Sequence, residues 1–103
     1  MKQSVKRVNL TGNWQEVVFT NKASRYFVKN YSDDDIFVSF EANDSEDESF
    51  KIKSGIAEEV AISYYTKPDT TAYGVRGRYV TDKIYVKGTG EVEIQQLDVW
   101  GSN

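Results

Sequence analysis

Short runs that alternate apolar with polar residues govern what this chain can become. Val8 and Leu10 alternate with Arg7 and Asn9, and Val17 and Phe19 share one face of WQEVVFT. Ile36, Val38 and Phe40 follow with Phe37 on the other side. Phe50 and Ile52 alternate with Lys51 and Lys53, and Val60 with Ile62 and Tyr64. Ile84, Val86, Val92 and Ile94 close the series. A period of two belongs to a strand with one buried face, because successive side chains leave a strand on opposite sides. The runs are cut by TGN (11–13), NKAS (21–24), YSDDD (31–35), Gly55, TKPDTT (66–71) and GTG (88–90). Asp, Asn, Ser and Gly there supply side-chain acceptors for local amides or permit unusual backbone angles. SGIAEEVAISYY contains fair helix formers, but its β-branched and aromatic run favours a strand. No segment holds a helical stripe over three turns. About eight strands at roughly 8–12-residue spacing predict an all-β fold, an antiparallel β-sandwich of jelly-roll-like or Ig-like kind.

The chain's 103 residues predict a single domain, 1–103, with one core. There is no cysteine and no histidine. Disulfides, thiol nucleophiles and thiolate metal sites are therefore excluded, as are Ser-His and Cys-His catalytic devices. The longest apolar runs are a few residues, far short of the ~20 that span a bilayer. MKQSVKRVNL has basic residues but no apolar stretch of the secretory type, so neither a secretion signal nor membrane insertion is expected.

Charge is unevenly spread. Residues 1–30 hold six Lys/Arg and one acid, whereas residues 31–60 hold ten acids and two lysines. Either these segments become neighbouring strands that neutralise each other, or opposed faces meet between subunits. The acidic middle argues against a nucleic-acid surface. Asp44, Glu46, Asp47 and Glu48 could ligate calcium on a loop, but the glycine and terminal glutamate of an EF-hand are missing; a solvated loop beside a sheet edge is the alternative. Glu91 and Glu93 share one strand face at a carboxylate spacing used in glycoside hydrolysis. Their position opposite Val92 and Ile94 puts both in water with ordinary pKa values, and no enzymatic role is expected.

Aromatic residues are the stronger lead. Phe27, Phe40 and Phe50 are expected in the core. Trp14, Phe37, Tyr64, Tyr65, Tyr73, Tyr79, Tyr85 and Trp100 cannot all lie inside a small core, and Arg76 and Arg78 accompany Tyr73 and Tyr79. Such an Arg/aromatic mixture suits a contact surface. GTG (88–90) is expected to form a tight hairpin pairing Ile84 and Val86 with Val92 and Ile94. The apolar rhythm then breaks at Gln95 and Gln96, which a β-bulge would explain by returning Leu97 and Val99 to the core face.

LTGNWQEV (10–17), FVKNYSDDDIFVSF (27–40), FKIKSGIAEE (50–59) and IYVKGTGEVEIQ (84–95) together carry a resemblance. The order resembles the small single-domain β-sandwich proteins encoded among phage and prophage structural genes, especially of Gram-positive hosts. It shares their N-x-S-x-x-x-I-x-V-x-F phrase and late glycine-turn hairpin. The resemblance implies a virion component, a head decoration, fibre or tail accessory protein, found in the particle or in the host cytoplasm during assembly. It also implies homo-oligomers, contacts with other virion proteins, and no catalytic residue or cofactor. The alternative is a module that binds a cell-surface glycan through Trp14, Tyr65, Tyr73 and Tyr79, with Asn13, Arg76 and Asp82 as polar neighbours.

Overall fold

The computed structural model describes residues 5–42, 46, 49–62, 73–75 and 78–100, with 73–75, 78, 79, 98 and 100 as backbone alone. Eight strands follow one another: β1 (Val5–Thr11), β2 (Gln15–Asn30), β3 (Ile36–Ser39), β4 (Phe50–Ile52), β5 (Ala57–Ala61), β6 (Tyr73–Val75), β7 (Arg78–Lys87) and β8 (Thr89–Trp100). All pairings are antiparallel. Seven strands form one sheet curled into a half-barrel, and β6 lies against the start of β7. The all-β, antiparallel expectation holds.

The curl is built on β2. Its first half pairs with β7, from Gln15 opposite Val86 to Val18 opposite Lys83. Its second half lies between β8 and β5, with Tyr26 opposite Gln96 on one side and Val60 on the other. Two wings result. One runs β1-β8-β2-β5, and the other β2-β7-β3-β4. Between them the register slips: Val18 faces Lys83 but Ala23 faces Thr81, so residues 19–22 of β2 are met by Asp82 alone. An insertion of this kind bends a strand and re-aims its side chains. Val17 and Phe19 are buried before it, and Tyr26, Val28 and Asn30 after it, so the inward positions change from odd to even. NKAS is therefore where one strand changes partners, rather than a break between two strands.

The phase change expected at Gln95–Gln96 is absent there and at Leu97, although Val99 further on does pack against the core. β8 keeps strict alternation through Val92, Ile94 and Gln96, all buried, and its register against β2 runs unbroken from Asn30–Val92 to Lys22–Trp100. Leu97 stays on the opposite face with Glu93 and Gln95. Gln96 breaks the apolar rhythm without breaking the backbone's, because its amide has a task inside. Gln96 Nε2 donates to the Asn21 carbonyl at 2.7 Å, within the inserted stretch of β2, and to the Tyr26 hydroxyl at 3.2 Å. The Tyr26 hydroxyl in turn donates to the Thr81 carbonyl at 2.5 Å. These bonds tie β8, β2 and β7 together where the ladder is interrupted. Burial pushes the Tyr26 phenol far above its ordinary pKa, so it stays a donor.

GTG does not make the expected hairpin either. β7 pairs with β2, β3 and β6, and β8 with β1 and β2; β7 and β8 share no ladder among the described residues. Gly88 and Gly90 turn a corner between the wings. The Gly12 amide donates to the Gly88 carbonyl at 2.7 Å, pinning the β1–β2 turn against it. Gly90 has φ 87°, and a Cβ there would come within 2.5 Å of the Ser32 Cβ. β6 and the start of β7 pair antiparallel, with Tyr73 opposite Val80 and Val75 opposite Arg78.

The core fills the concave side. Ile36, Val38, Phe40, Ile52, Val60, Ile62, Ile84, Val86, Val92 and Ile94 are buried as the alternation required. Phe19, Tyr26, Phe40 and Phe50 form a chain of rings with centroids 5.5, 5.8 and 6.5 Å apart, the first two pairs tilted and the last edge-on. Asn30 closes one end. Its Nδ2 donates to the carbonyls of Asp34 (2.9 Å) and Ile52 (3.1 Å), and its Oδ1 accepts from the Ser32 amide (2.9 Å). YSDDD thus turns as its residue types predict.

Two substitutions test this. Gly90→Ala meets both a left-handed φ and the Ser32 contact, and should lower stability by about 1–3 kcal/mol in urea denaturation. Gln96→Leu supplies the residue that alternation would favour, yet it orphans the Asn21 carbonyl; a loss of about 1–3 kcal/mol is expected, and unchanged or higher stability would contradict this role.

Candidate functional site

The outer face of the β1-β8-β2-β5 wing brings together the chemistry expected of a contact surface. Its rows follow from register. Val5, Gln95, Phe27 and Glu59 form one row; Arg7, Glu93, Lys29 and Ala57 the next; and Leu97, Arg25 and Ala61 a third. Alternation puts Phe27 on this face because Tyr26 and Val28 point inward. Phe27 is thus half-buried on the outside rather than in the core. Val5 is 42% exposed, and Leu97, diagonal to both Val5 and Phe27, is half-buried. These three surround Gln95 as a small apolar centre.

Charges frame that centre and hold one another. Glu93 accepts from Arg7 Nε at 3.1 Å and meets Lys29 Nζ at 3.3 Å. Arg25 Nη1 reaches Glu59 Oε2 at 3.0 Å. Lys29 Nζ also lies 5.7 Å from the Phe27 ring centre, within cation–π range. The Arg7 hydrogen bond, assisted by Lys29, draws the Glu93 carboxyl below the ordinary carboxylate range, against the smaller effect of its own desolvation. Glu93 in turn raises the Arg7 guanidinium further above neutrality. The expectation of an ordinary pKa for Glu93 is therefore corrected: sequence shows the carboxylate but not the two cations that flanking strands deliver to it.

The convex side of the other wing differs. Tyr85 donates to Glu16 at 3.1 Å, and Lys83, Lys87 and Lys51 approach Glu16, Glu46 and Asp35 at 3.9, 3.1 and 3.4 Å. Val18, 43% exposed, is its most exposed large apolar residue.

The candidate residues from sequence do not form one cluster. Trp14 is half-buried in the β1–β2 turn, beside the end of β7 at Val86. Tyr73, Arg78 and Tyr79 sit on β6 and the start of β7, about 20 Å along β7 from Trp14 by strand rise. Trp100 is in register with Lys22. Tyr65 and Arg76 lie outside the described residues, as do Asp44, Asp47 and Glu48. Glu46, the remaining calcium candidate, pairs with Lys87, and the described residues hold no cluster of three or more metal-ligating side chains. Sequence reading missed Tyr31, 56% exposed, and Ile56, 45% exposed, whose carbonyl accepts from the Asn30 amide. Both sit at turns next to strand ends, where the alternation carries no information about direction. No helix among the described residues is long and apolar enough to cross a membrane.

The Glu93 cluster has a defined pH signature. A carboxyl whose pKa is lower folded than unfolded adds stability above its unfolded value and loses it as pH falls through its folded one. Acid unfolding should therefore steepen below about pH 4.3, the ordinary glutamate value. Glu93→Gln should flatten that acid limb, read as the melting temperature between pH 2 and 7.

No protein-family model, curated protein or solved structure matches the chain.

Proposed function

We propose that the chain is a non-catalytic structural subunit that works through protein–protein contacts and self-associates. The phage and prophage virion proteins that its sequence resembles are the class this reading favours, with the subunit acting in the particle or during its assembly in the host cytoplasm. The finer fold belongs to the same reading: the two wings are the two sheets of a sandwich, jelly-roll-like or Ig-like, joined through β2.

The observation that carries the reading is the β1-β8-β2-β5 wing. Its broad face has a half-exposed aromatic and aliphatic centre within a frame of paired charges, the composition of an interface centre and rim. Its edge strands β1 and β5 are each paired on one side only among the described residues. The frame is preorganised, because Arg7, Lys29 and Arg25 are already held by carboxylates and have less freedom to lose on contact.

Light scattering across a concentration series tests the reading. A mass above that of one chain, rising with concentration at low salt, is expected. A strict monomer at every concentration would overturn it.

A further inference from the structure

The two edges of the β1-β8-β2-β5 wing carry opposite charge, and we infer that β1 of one copy adds to β5 of the next, extending the sheet head-to-tail. This rests on the assembly reading above and specifies which surfaces meet. β1 presents Lys6 and Arg7 along an exposed edge, with the Arg7 side chain 72% exposed. β5 presents Ala57, Glu58 and Glu59, all exposed. Charged edge strands usually keep sheets apart. That protection requires like charges on the edges that would meet, and here the signs are opposite.

Strand direction permits the addition. Neighbours in the wing are antiparallel throughout, so β1 and β5, three steps apart, run in opposite directions. A copy shifted sideways by one wing, without turning over, therefore brings its β1 antiparallel to the first copy's β5. The faces fix the register further. Arg7 and Asn9 share the outer face with Ala57 and Glu59, so outer residues must oppose outer residues. Placing Arg7 opposite Glu59 sets Asn9 opposite Ala57 and Val8 opposite Glu58. The exposed half of β5, Ala57–Glu59, then opposes residues of β1, while Val60 and Ala61 are buried within their own copy. Lys6 falls diagonal to Glu58, within reach of a long side chain. Each junction repeats the same unlike pair of surfaces, the arrangement that closes into rings or runs on as filaments. It also sets successive Phe27 faces side by side.

Charge reversal on each edge tests this directly. Lys6→Glu/Arg7→Glu and Glu58→Lys/Glu59→Lys should each weaken self-association by about tenfold or more, as like charges now meet. Mixing the two should restore it, since each variant offers the edge that the other needs. Circular dichroism checks that both are folded. A second arm leaves the charges intact. Asn9→Cys and Ala57→Cys, mixed in this cysteine-free background, should form a disulfide between copies, because the register brings their Cα atoms about 5 Å apart. Within one copy the edges are about 14 Å apart, three strand spacings, too far for that bond. Restoration on mixing together with the disulfide supports the proposal. Wild-type association that survives both reversals and gives no disulfide overturns the edge pairing but leaves the assembly reading. Loss of association without the disulfide overturns the register. A wild-type protein that stays monomeric overturns both.

Discussion

The curl of this sheet depends on one interrupted ladder. Where β2 leaves β7 and takes up β8, residues 19–22 face a single residue of β7, and backbone groups there lose regular partners. A buried carbonyl left in that state is costly. Gln96 answers the Asn21 carbonyl, and Tyr26 links the same amide to Thr81. Three strands are thus held at the bend by two polar side chains, each almost wholly buried. One atom of the set, Gln96 Oε1, has no partner. The arrangement accepts that cost because the amide's donors must point at two acceptors, which fixes which way the group turns. Without the bend the sheet could not curl into its half-barrel around the ring chain from Phe19 to Phe50.

The architecture is legible in the sequence wherever side-chain polarity and backbone direction agree. Ile36, Val38 and Phe40 are buried as their spacing requires, and so are Ile84, Val86, Val92 and Ile94. Asn30 and Ser32 make the turn their chemistry suggests. Reading failed where polarity and direction part. Gln96 is polar and inside, Phe27 is aromatic and outside, and both mislead a rule that equates apolar with inward. The true phase change, near Ala23, is hidden because Ala23 and Ser24 are small and both buried. Glycine is ambiguous for a different reason. GTG permits a hairpin but equally permits a corner, and the choice lies with the distant partners β1, β2 and β3.

The outer face of the β1-β8-β2-β5 wing shows a related limit. Arg7, Arg25, Lys29, Glu59 and Glu93 are all visible in the sequence as charges. Their union into two small networks depends on β1 and β5 flanking the β8-β2 pair, which is a property of topology. The basic first third and acidic middle do meet, at Arg25–Glu59, as neighbouring-strand neutralisation would have it. Other pairs join different segments: Lys29 and Arg7 go to Glu93, and Lys87 to Glu46. Neutralisation within one copy therefore accounts for part of the asymmetry.

Lys6 and Glu58 stand outside those pairs, at the wing's two edges, where a fold can be protected or extended. A sheet edge exposes unsatisfied backbone donors and acceptors whatever its side chains are, so its fate is decided by what lines it. Two basic edges would repel, and so would two acidic ones. A basic edge at one side of a four-stranded wing and an acidic one at the other repel only when a copy meets its own kind of edge. That discrimination suppresses the symmetric pairing of β1 with β1 or β5 with β5 and leaves the unlike pairing as the one without a charge penalty. In the proposed assembly the same lysine and arginine that would serve as gatekeepers against aggregation would select a direction of growth. Screening would weaken this selection, since exposed charges lose most of their mutual influence beyond about 8 Å at physiological salt. The proposed choice between edges is therefore one made at short range, in the register that would set Arg7 against Glu59.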